Sequence, residues 1–329
     1  MQKLFVVTAV FVLMCLGVGQ AVTLDMVTVG NPGNAADTRY ATPGFGSVGY
    51  EFRIGKYEIT AAQYTEFLNY KASVSDDHGL YNSLMWSYSS GCKIQRSGSP
   101  GSYTYIVASD YANRPVNFVS YWDSLRFANW MNNGQGSGDT ETGAYILGGY
   151  TGTDGRTIQR NSGAKWVLTS ENEWYKAAYY KGGGTSAGYW DYPTKSDSAP
   201  ANQVLSTDPG NSANYRIVDY SIGSPYYRTN VGEFENSASA YGTYDQAGNV
   251  YEWNEAIVWQ NATYACRGIR GGFFGDYGDY LIASGRGYDS PADESNGLGF
   301  RLAVVPEPSS LIALVGGLGM LLGMRRRRV

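Results

Sequence analysis

The residues best suited to chemistry in this sequence stand in one short run, Ala247-Gly248-Asn249-Val250-Tyr251-Glu252. Asn249 and Glu252 lie three apart on what reads as a tight turn, with a backbone carbonyl between them. That spacing gathers hard oxygen donors at one point, as a calcium ion requires. The same two side chains would equally serve a turn by bonding neighbouring amides. Softer ligands are scarce: the chain has three cysteines, Cys15, Cys92 and Cys266, and one histidine, His78. A single histidine excludes multi-histidine zinc and iron sites. Its flanks, Asp76-Asp77 and Gly79, mark a solvated turn, which leaves a Ser-His-Asp triad without its base. A second run interleaves rings with Asp and Gly: Phe273, Phe274, Asp276, Tyr277, Asp279 and Tyr280, followed by Arg286 and Tyr288. Rings supply stacking area at low entropic cost and carboxylates fix orientation, so the run suits a surface that recognises sugars or peptides. The alternative is that these rings pack a core poor in strands.

Both ends of the chain read as addresses rather than as parts of a packed domain. Lys3, the apolar run 4–18 and the small residues Gly19-Gln20-Ala21 have the order of a secretory signal peptide. The apolar run is shorter than the about 20 residues a permanent anchor needs. At the other end, Pro306-Glu307-Pro308, the apolar segment 311–324 and Arg325-Arg326-Arg327-Arg328 follow one another. A short Gly-rich apolar segment can insert in a membrane while four arginines hold its end on the cytoplasmic side, which leaves the rest outside. This end resembles the PEP-CTERM sorting signal of Gram-negative bacteria. The resemblance implies transient membrane insertion, cleavage near 306–308 by a membrane protease of the exosortase type, and a final place at the cell surface, in the outer membrane or outside the cell. The expected organisation is a signal peptide at 1–21, one domain at 22–304 and a sorting signal at 305–329. Once Lys3, Glu307 and the four terminal arginines are removed, 20 basic and 28 acidic residues remain, a net charge of −8. Such a surface repels phosphate backbones and excludes nucleic acid as a partner. Cys15 leaves with the signal peptide, and Cys92 and Cys266 face an oxidising compartment in which one disulfide is open to them.

Capping chemistry announces three helices that would position these groups. Thr60 pairs with Gln63 and Ser170 with Glu173, each hydroxyl accepting from a free backbone N–H while the side chain three residues on returns the bond; Ser120 with Asp123 is a weaker version. Behind the caps, Tyr64, Phe67 and Leu68 share one face, Trp122, Leu125 and Ala128 another, and Trp174, Ala177 and Ala178 a third. Each helix reads as short and one-sided. Between them Gly, Ser, Thr, Asn and Tyr dominate, as in 134–155 and 182–188, with brief strand-like runs such as 52–54. The 43 Gly and 29 Tyr fit a loop-rich α+β domain whose irregular segments are pinned by buried aromatics. Neither an internal repeat nor a Pro-rich linker divides the chain, so one domain is expected.

Six segments in order carry a further resemblance: Phe52-Arg-Ile-Gly-Lys-Tyr-Glu-Ile-Thr60, Arg114-Pro-Val-Asn-Phe-Val-Ser-Tyr-Trp122, Leu168-Thr-Ser-Glu-Asn-Glu-Trp174, Tyr241-Gly-Thr-Tyr-Asp-Gln-Ala-Gly-Asn-Val-Tyr-Glu-Trp253, Arg267-Gly-Ile-Arg-Gly-Gly272 and Gly297-Leu-Gly-Phe-Arg301. Together they are similar to the formylglycine-generating enzyme (sulfatase-modifying factor) family and span nearly all of 22–304. The resemblance implies a C-type-lectin-like fold with few short helices and strands. It also implies calcium, with side chains from Asn249 and Glu252, carbonyls from Ala247 and Val250, and Asn214 at a second site. Known members oxidise a sulfatase cysteine to formylglycine with O₂ and a copper(I) ion held by two thiolates soon after the Arg-Gly-Gly motif, and soft Cu(I) favours such ligands. Counted from Arg270-Gly271-Gly272, the thiolate positions fall at Asp276 and Leu281, and no thiol occurs within 267–301. Copper is therefore not expected, and Phe273, Phe274, Asp276, Tyr277, Asp279, Tyr280, Arg286 and Tyr288 fill the former reaction cleft. The expected protein is an exported, non-catalytic binding or structural module whose partner is an extracellular polysaccharide or a surface protein. The alternative is a formylglycine-generating oxidoreductase with its site placed elsewhere.

Overall fold

All three capping pairs close as reciprocal boxes, with hydroxyls of Thr60, Ser120 and Ser170 accepting from the amides of Gln63, Asp123 and Glu173 at 3.1–3.2 Å. They open α1 (Ala61–Lys71), α3 (Tyr121–Asn132) and α4 (Glu171–Tyr179), and a single turn, α2 (Leu84–Ser87), lies between the first two. The strands are β1 (Met26–Val29), β2 (Phe52–Gly55), β3 (Ile94–Ser97), β4 (Thr104–Val107), β5 (Trp166–Leu168), β6 (Tyr251–Gln260), β7 (Ala265–Arg270), β8 (Gly287–Asp289), β9 (Leu298–Gly299) and β10 (Leu302–Val304). This computed structural model describes residues 21–306. The signal-peptide and sorting segments expected at the two ends lie outside them but for Ala21, Val305 and Pro306. Among the described residues no helix is long and apolar enough to cross a membrane.

One sheet has the order β1-β2-β10-β5, a second β8-β7-β6-β9, and β3-β4 form a hairpin apart. The last strand, β10, lies between β2 and β5 and pairs antiparallel with both. The core between the layers is aromatic: Phe127 meets Phe67 at 5.2 Å and Phe300 at 5.4 Å between ring centroids, and Trp130 packs on Phe67 at 5.3 Å. The domain is α+β, loop-rich and short in its regular elements, as expected.

Helix α1 is one-sided as expected, burying Ala61, Tyr64, Thr65, Phe67 and Leu68, but α3 and α4 are not. Every residue of α3 from Tyr121 to Met131 is buried, Arg126 and Asn129 included, and in α4 only Asn172 stands out. The loops explain this. Asn129 Nδ2 donates to the carbonyls of Thr140 and Tyr145, its Oδ1 accepts from the Tyr145 amide, and Arg126 holds Glu141 and the Tyr150 carbonyl. Polar helix residues thus satisfy a covering loop's backbone instead of facing water.

Candidate functional site

The turn before β6 is built on backbone geometry that its sequence demands. Gly248 has φ +78°, and a Cβ there would collide with the Asn214 carbonyl. The amide of Asn249, itself at φ +62°, donates to that same carbonyl at 2.8 Å. Asn249 is fully buried. Its Oδ1 accepts from Asn214 Nδ2 at 2.9 Å and from the Thr229 amide at 3.1 Å, and its Nδ2 donates to Glu58 Oε2 at 3.4 Å. Glu252 is equally buried and equally engaged. Arg301 grips both carboxylate oxygens, Nε on Oε2 at 2.5 Å and Nη2 on Oε1 at 2.6 Å, while Trp174 Nε1 adds a bond to Oε2 at 2.8 Å. The remaining guanidinium protons reach the Gly55 and Tyr244 carbonyls. Four of the six sequence segments therefore meet at one ion pair, and they meet as architecture.

These side chains do not fit a calcium ion. A cation bound by Glu252 would lie against the Arg301 guanidinium, and one bound by Asn249 Oδ1 would face the donors of Asn214 and Thr229. Ala247 and Val250 are buried beside them, and Asn214 Oδ1 is buried without a partner. Asn249 accepts from a neighbouring backbone amide, as the second sequence reading has it, whereas Glu252 is taken by Arg301 and Trp174 from distant segments. Two further carboxyls crowd the knot. Burial, with Asp245 and Glu252 nearby, holds Glu58 well above the usual carboxylate range, and burial pushes Asp245 up to about 6 even though its Oδ2 accepts from the Gly232 amide at 2.6 Å.

Of the two positions where the resemblance places thiolates, Leu281 is closed and Asp276 is half-buried. Leu281 is fully buried among Tyr192, Ala213, Tyr215 and Ala247 and presses on Gly272, whose φ of +74° leaves room for it. Asp276 is half-buried, and burial lifts its carboxyl above the usual range, partly offset by the Tyr251 hydroxyl. Phe273 stacks on Tyr251 and Phe274 is buried against Tyr227. These two rings are packing, whereas Tyr277, Tyr280 and Tyr288 are about half exposed at 52%, 51% and 51%. Asp279 is exposed as well. Arg286 is bound elsewhere: its Nε and Nη2 hold Glu171 at 2.8 and 2.7 Å, beside Arg270, and both guanidinium groups lie over the Phe45 ring. Cys92 and Cys266 are both free and buried, so the disulfide left open by the sequence is not formed. Burial raises both thiols above their usual range. His78 sits in its turn beside Glu141, 3.3 Å away.

Tyr277 belongs to a larger surface that the sequence reading missed. The Arg216 amide donates to the Asp276 carbonyl at 2.8 Å, which joins the loop 215–221 to the loop that carries Tyr277. Asn202 Nδ2 ties the same loop back through the Tyr215 and Asp219 carbonyls. Val204, Leu205, Ile217, Val218 and Tyr220 are exposed there and line a shallow depression of about 550 Å³. The Arg216 guanidinium, which has no carboxylate partner among the described residues, stands 5.5 Å from the Tyr220 ring and 5.7 Å from that of Tyr277. The pair Ile217-Val218 in an otherwise polar loop was the available signal.

Among solved structures, that of CarF superposes with a TM-score of 0.57 at 19% identity, over 87% of this chain and all of the other. Treponema denticola variable protein 1 gives 0.52 at 20%, over 87% of this chain and 96% of the other. PvdO from Pseudomonas aeruginosa gives 0.46 at 19%, over 85% and 94%. For CarF and the Treponema denticola protein the likeness, at these identities, is one of fold. No curated protein matches the chain. The sulfatase-modifying factor enzyme 1-like domain matches residues 26–305, which is nearly everything described above, and the chain belongs to that family.

Proposed function

We propose that this protein is an exported recognition module that has kept the family scaffold without its copper chemistry, and that it binds an extracellular polysaccharide. The observation that carries the reading is the surface beside the former thiolate loop: Tyr220 and Tyr277 exposed beside an Arg216 guanidinium that has no carboxylate partner among the described residues, with Tyr280 exposed three residues after Tyr277. Rings of this kind stack on the faces of sugar rings, and a guanidinium between them donates to hydroxyls or carboxylates. The absence of any thiol within 267–301 supports the non-catalytic half of the proposal, because copper(I) prefers thiolate ligands. Export rests on the two sequence signals: the leader 1–21 delivers the chain across the inner membrane, the segment 311–324 inserts transiently, and an exosortase-type protease cuts near 306–308. The mature protein then acts at the cell surface, in the outer membrane or outside the cell.

The domain 22–305, supplied with copper and a Cys-x-Pro-x-Arg peptide, should leave the peptide mass unchanged. It should also be retained on an immobilised bacterial exopolysaccharide, with retention lost in Tyr277→Ala/Tyr280→Ala. Aldehyde formation on the peptide would restore the oxidoreductase reading. Retention on a surface-protein column alone would replace the polysaccharide with a protein partner.

A further inference from the structure

A second region has the makings of a binding site, and it lies on β6 beyond the family knot. Register between β6 and β7 slips after Asn254: Asn254 pairs with Gly268 and Ile257 with Arg267, so Glu255 and Ala256 are extruded in a bulge. The bulge is held open by side chains and backbone alike. Asn254 Oδ1 crosses Gly268, where a Cβ would stand 2.5 Å away, and accepts from the Ala256 amide at 3.1 Å, while the Glu255 amide donates to the Thr169 carbonyl. Bulges re-aim side chains. Here the effect is to turn Glu255 into a groove of about 280 Å³ that it lines with Tyr121, Tyr145, Ile158, Gln159 and Arg160.

The polar atoms in that groove are unevenly used. Glu255 Oε1 accepts from Arg160 Nε at 2.6 Å and from the Tyr145 hydroxyl, and Arg160 spends its other protons on Glu173 and the Leu168 carbonyl. Glu255 Oε2 and the Tyr121 hydroxyl have no hydrogen-bond partner among the described residues, although Tyr121 is 1% exposed. Charge in the surroundings cancels. Glu173 and Glu255 face Arg160 and Arg267, the last lying 4.7 Å over the Tyr121 ring. A balanced site favours neither cation nor anion. An extended peptide has nothing to pair with either, since both amides of the bulge are already committed. What remains is an acceptor oxygen, a phenol, an exposed amide at Gln159 and aromatic walls around space for one six-membered ring.

We infer that the Glu255 groove is a binding pocket for a single neutral pyranose unit, held by hydroxyl bonds to Glu255 Oε2 and the Tyr121 hydroxyl. The pocket is separate from the tyrosine surface proposed above and does not depend on it. The test is saturation-transfer NMR and titration of the mature protein with methyl glucoside, galactoside, mannoside and N-acetylglucosaminide. At least one should bind with millimolar affinity, and Glu255→Gln and Tyr121→Phe should each weaken it by about tenfold, the cost of one hydrogen bond to a charged or buried partner. Ile158→Trp, which fills the groove from its apolar wall and leaves the Arg160 network alone, should abolish binding with far-ultraviolet circular dichroism and cooperative thermal unfolding retained. Tyr277→Ala/Tyr280→Ala should leave it intact. The inference is overturned if no methyl glycoside binds, if binding survives Ile158→Trp, or if it is lost only with the tyrosine pair.

Discussion

Glu252 and Glu255 stand three residues apart on one strand, yet they belong to opposite kinds of site. Glu252 is fully buried, and both its oxygens are used by Arg301 and Trp174. Glu255, thrown outward by the bulge, has one oxygen engaged and one turned to a groove. Burial raises its carboxyl, with Glu173 adding to the effect and Arg160 opposing it. A carboxylate enclosed by its own guanidinium holds a fold together. A carboxylate with a spare lone pair at a solvent-filled groove can receive a ligand, and a difference of backbone register separates the two cases.

The contrast can be broken from its strong end first. Glu252→Gln leaves the Arg301 charge buried without its partner and should cost about 3–5 kcal/mol in urea unfolding; a loss below about 1 kcal/mol would show that the knot is not structural. Asp245 sharpens the same end through pH. Its folded carboxyl titrates at about 6 against an unfolded value of about 3.9, so its contribution is complete below the lower value and disappears as pH rises through the upper one. Asp245→Asn should therefore gain on the order of 3 kcal/mol over wild type between acid and neutral pH, read from thermal melts across that range. At the weak end, Glu255→Gln should change stability by about 1 kcal/mol or less, because Arg160 keeps Glu173. Tyr277→Ala/Tyr280→Ala should stay within about 0.5 kcal/mol of wild type while polysaccharide retention is lost. A chelator should leave the melting temperature unmoved, since the Asn249 turn is satisfied by protein donors.

Much of this was legible in the sequence. The capping pairs at Thr60, Ser120 and Ser170 fixed where three helices begin because that chemistry is local, and the α+β, loop-rich character followed from composition. The one-sided burial of α1 was legible, but the all-round burial of α3 and α4 was not. Arg126 and Asn129 look like a solvated face until the loop they hold is in place, and that loop, although it directly follows α3, has no regular structure to announce how it folds back. The turn at Asn249 was found, but the chemistry of its Glu252 depended on Arg301, which approaches from 49 positions away in the chain. The run of rings after Arg270 divided between both readings: Phe273 and Phe274 went to packing, while Tyr277 and Tyr280 stayed in solvent. The groove at Glu255 had no signal, because a bulge is a relation between two strands and neither strand announces it alone.

The placement of β10 between β2 and β5 has a consequence for how such a chain is made. The strand that finishes the first sheet is the last of the domain to be synthesised, and Arg301, which locks Glu252, precedes it by a single residue. A nascent domain lacking its final dozen residues has a gap in the middle of a sheet and an unneutralised carboxylate at its centre. The first sheet can therefore close only once this tail has been made.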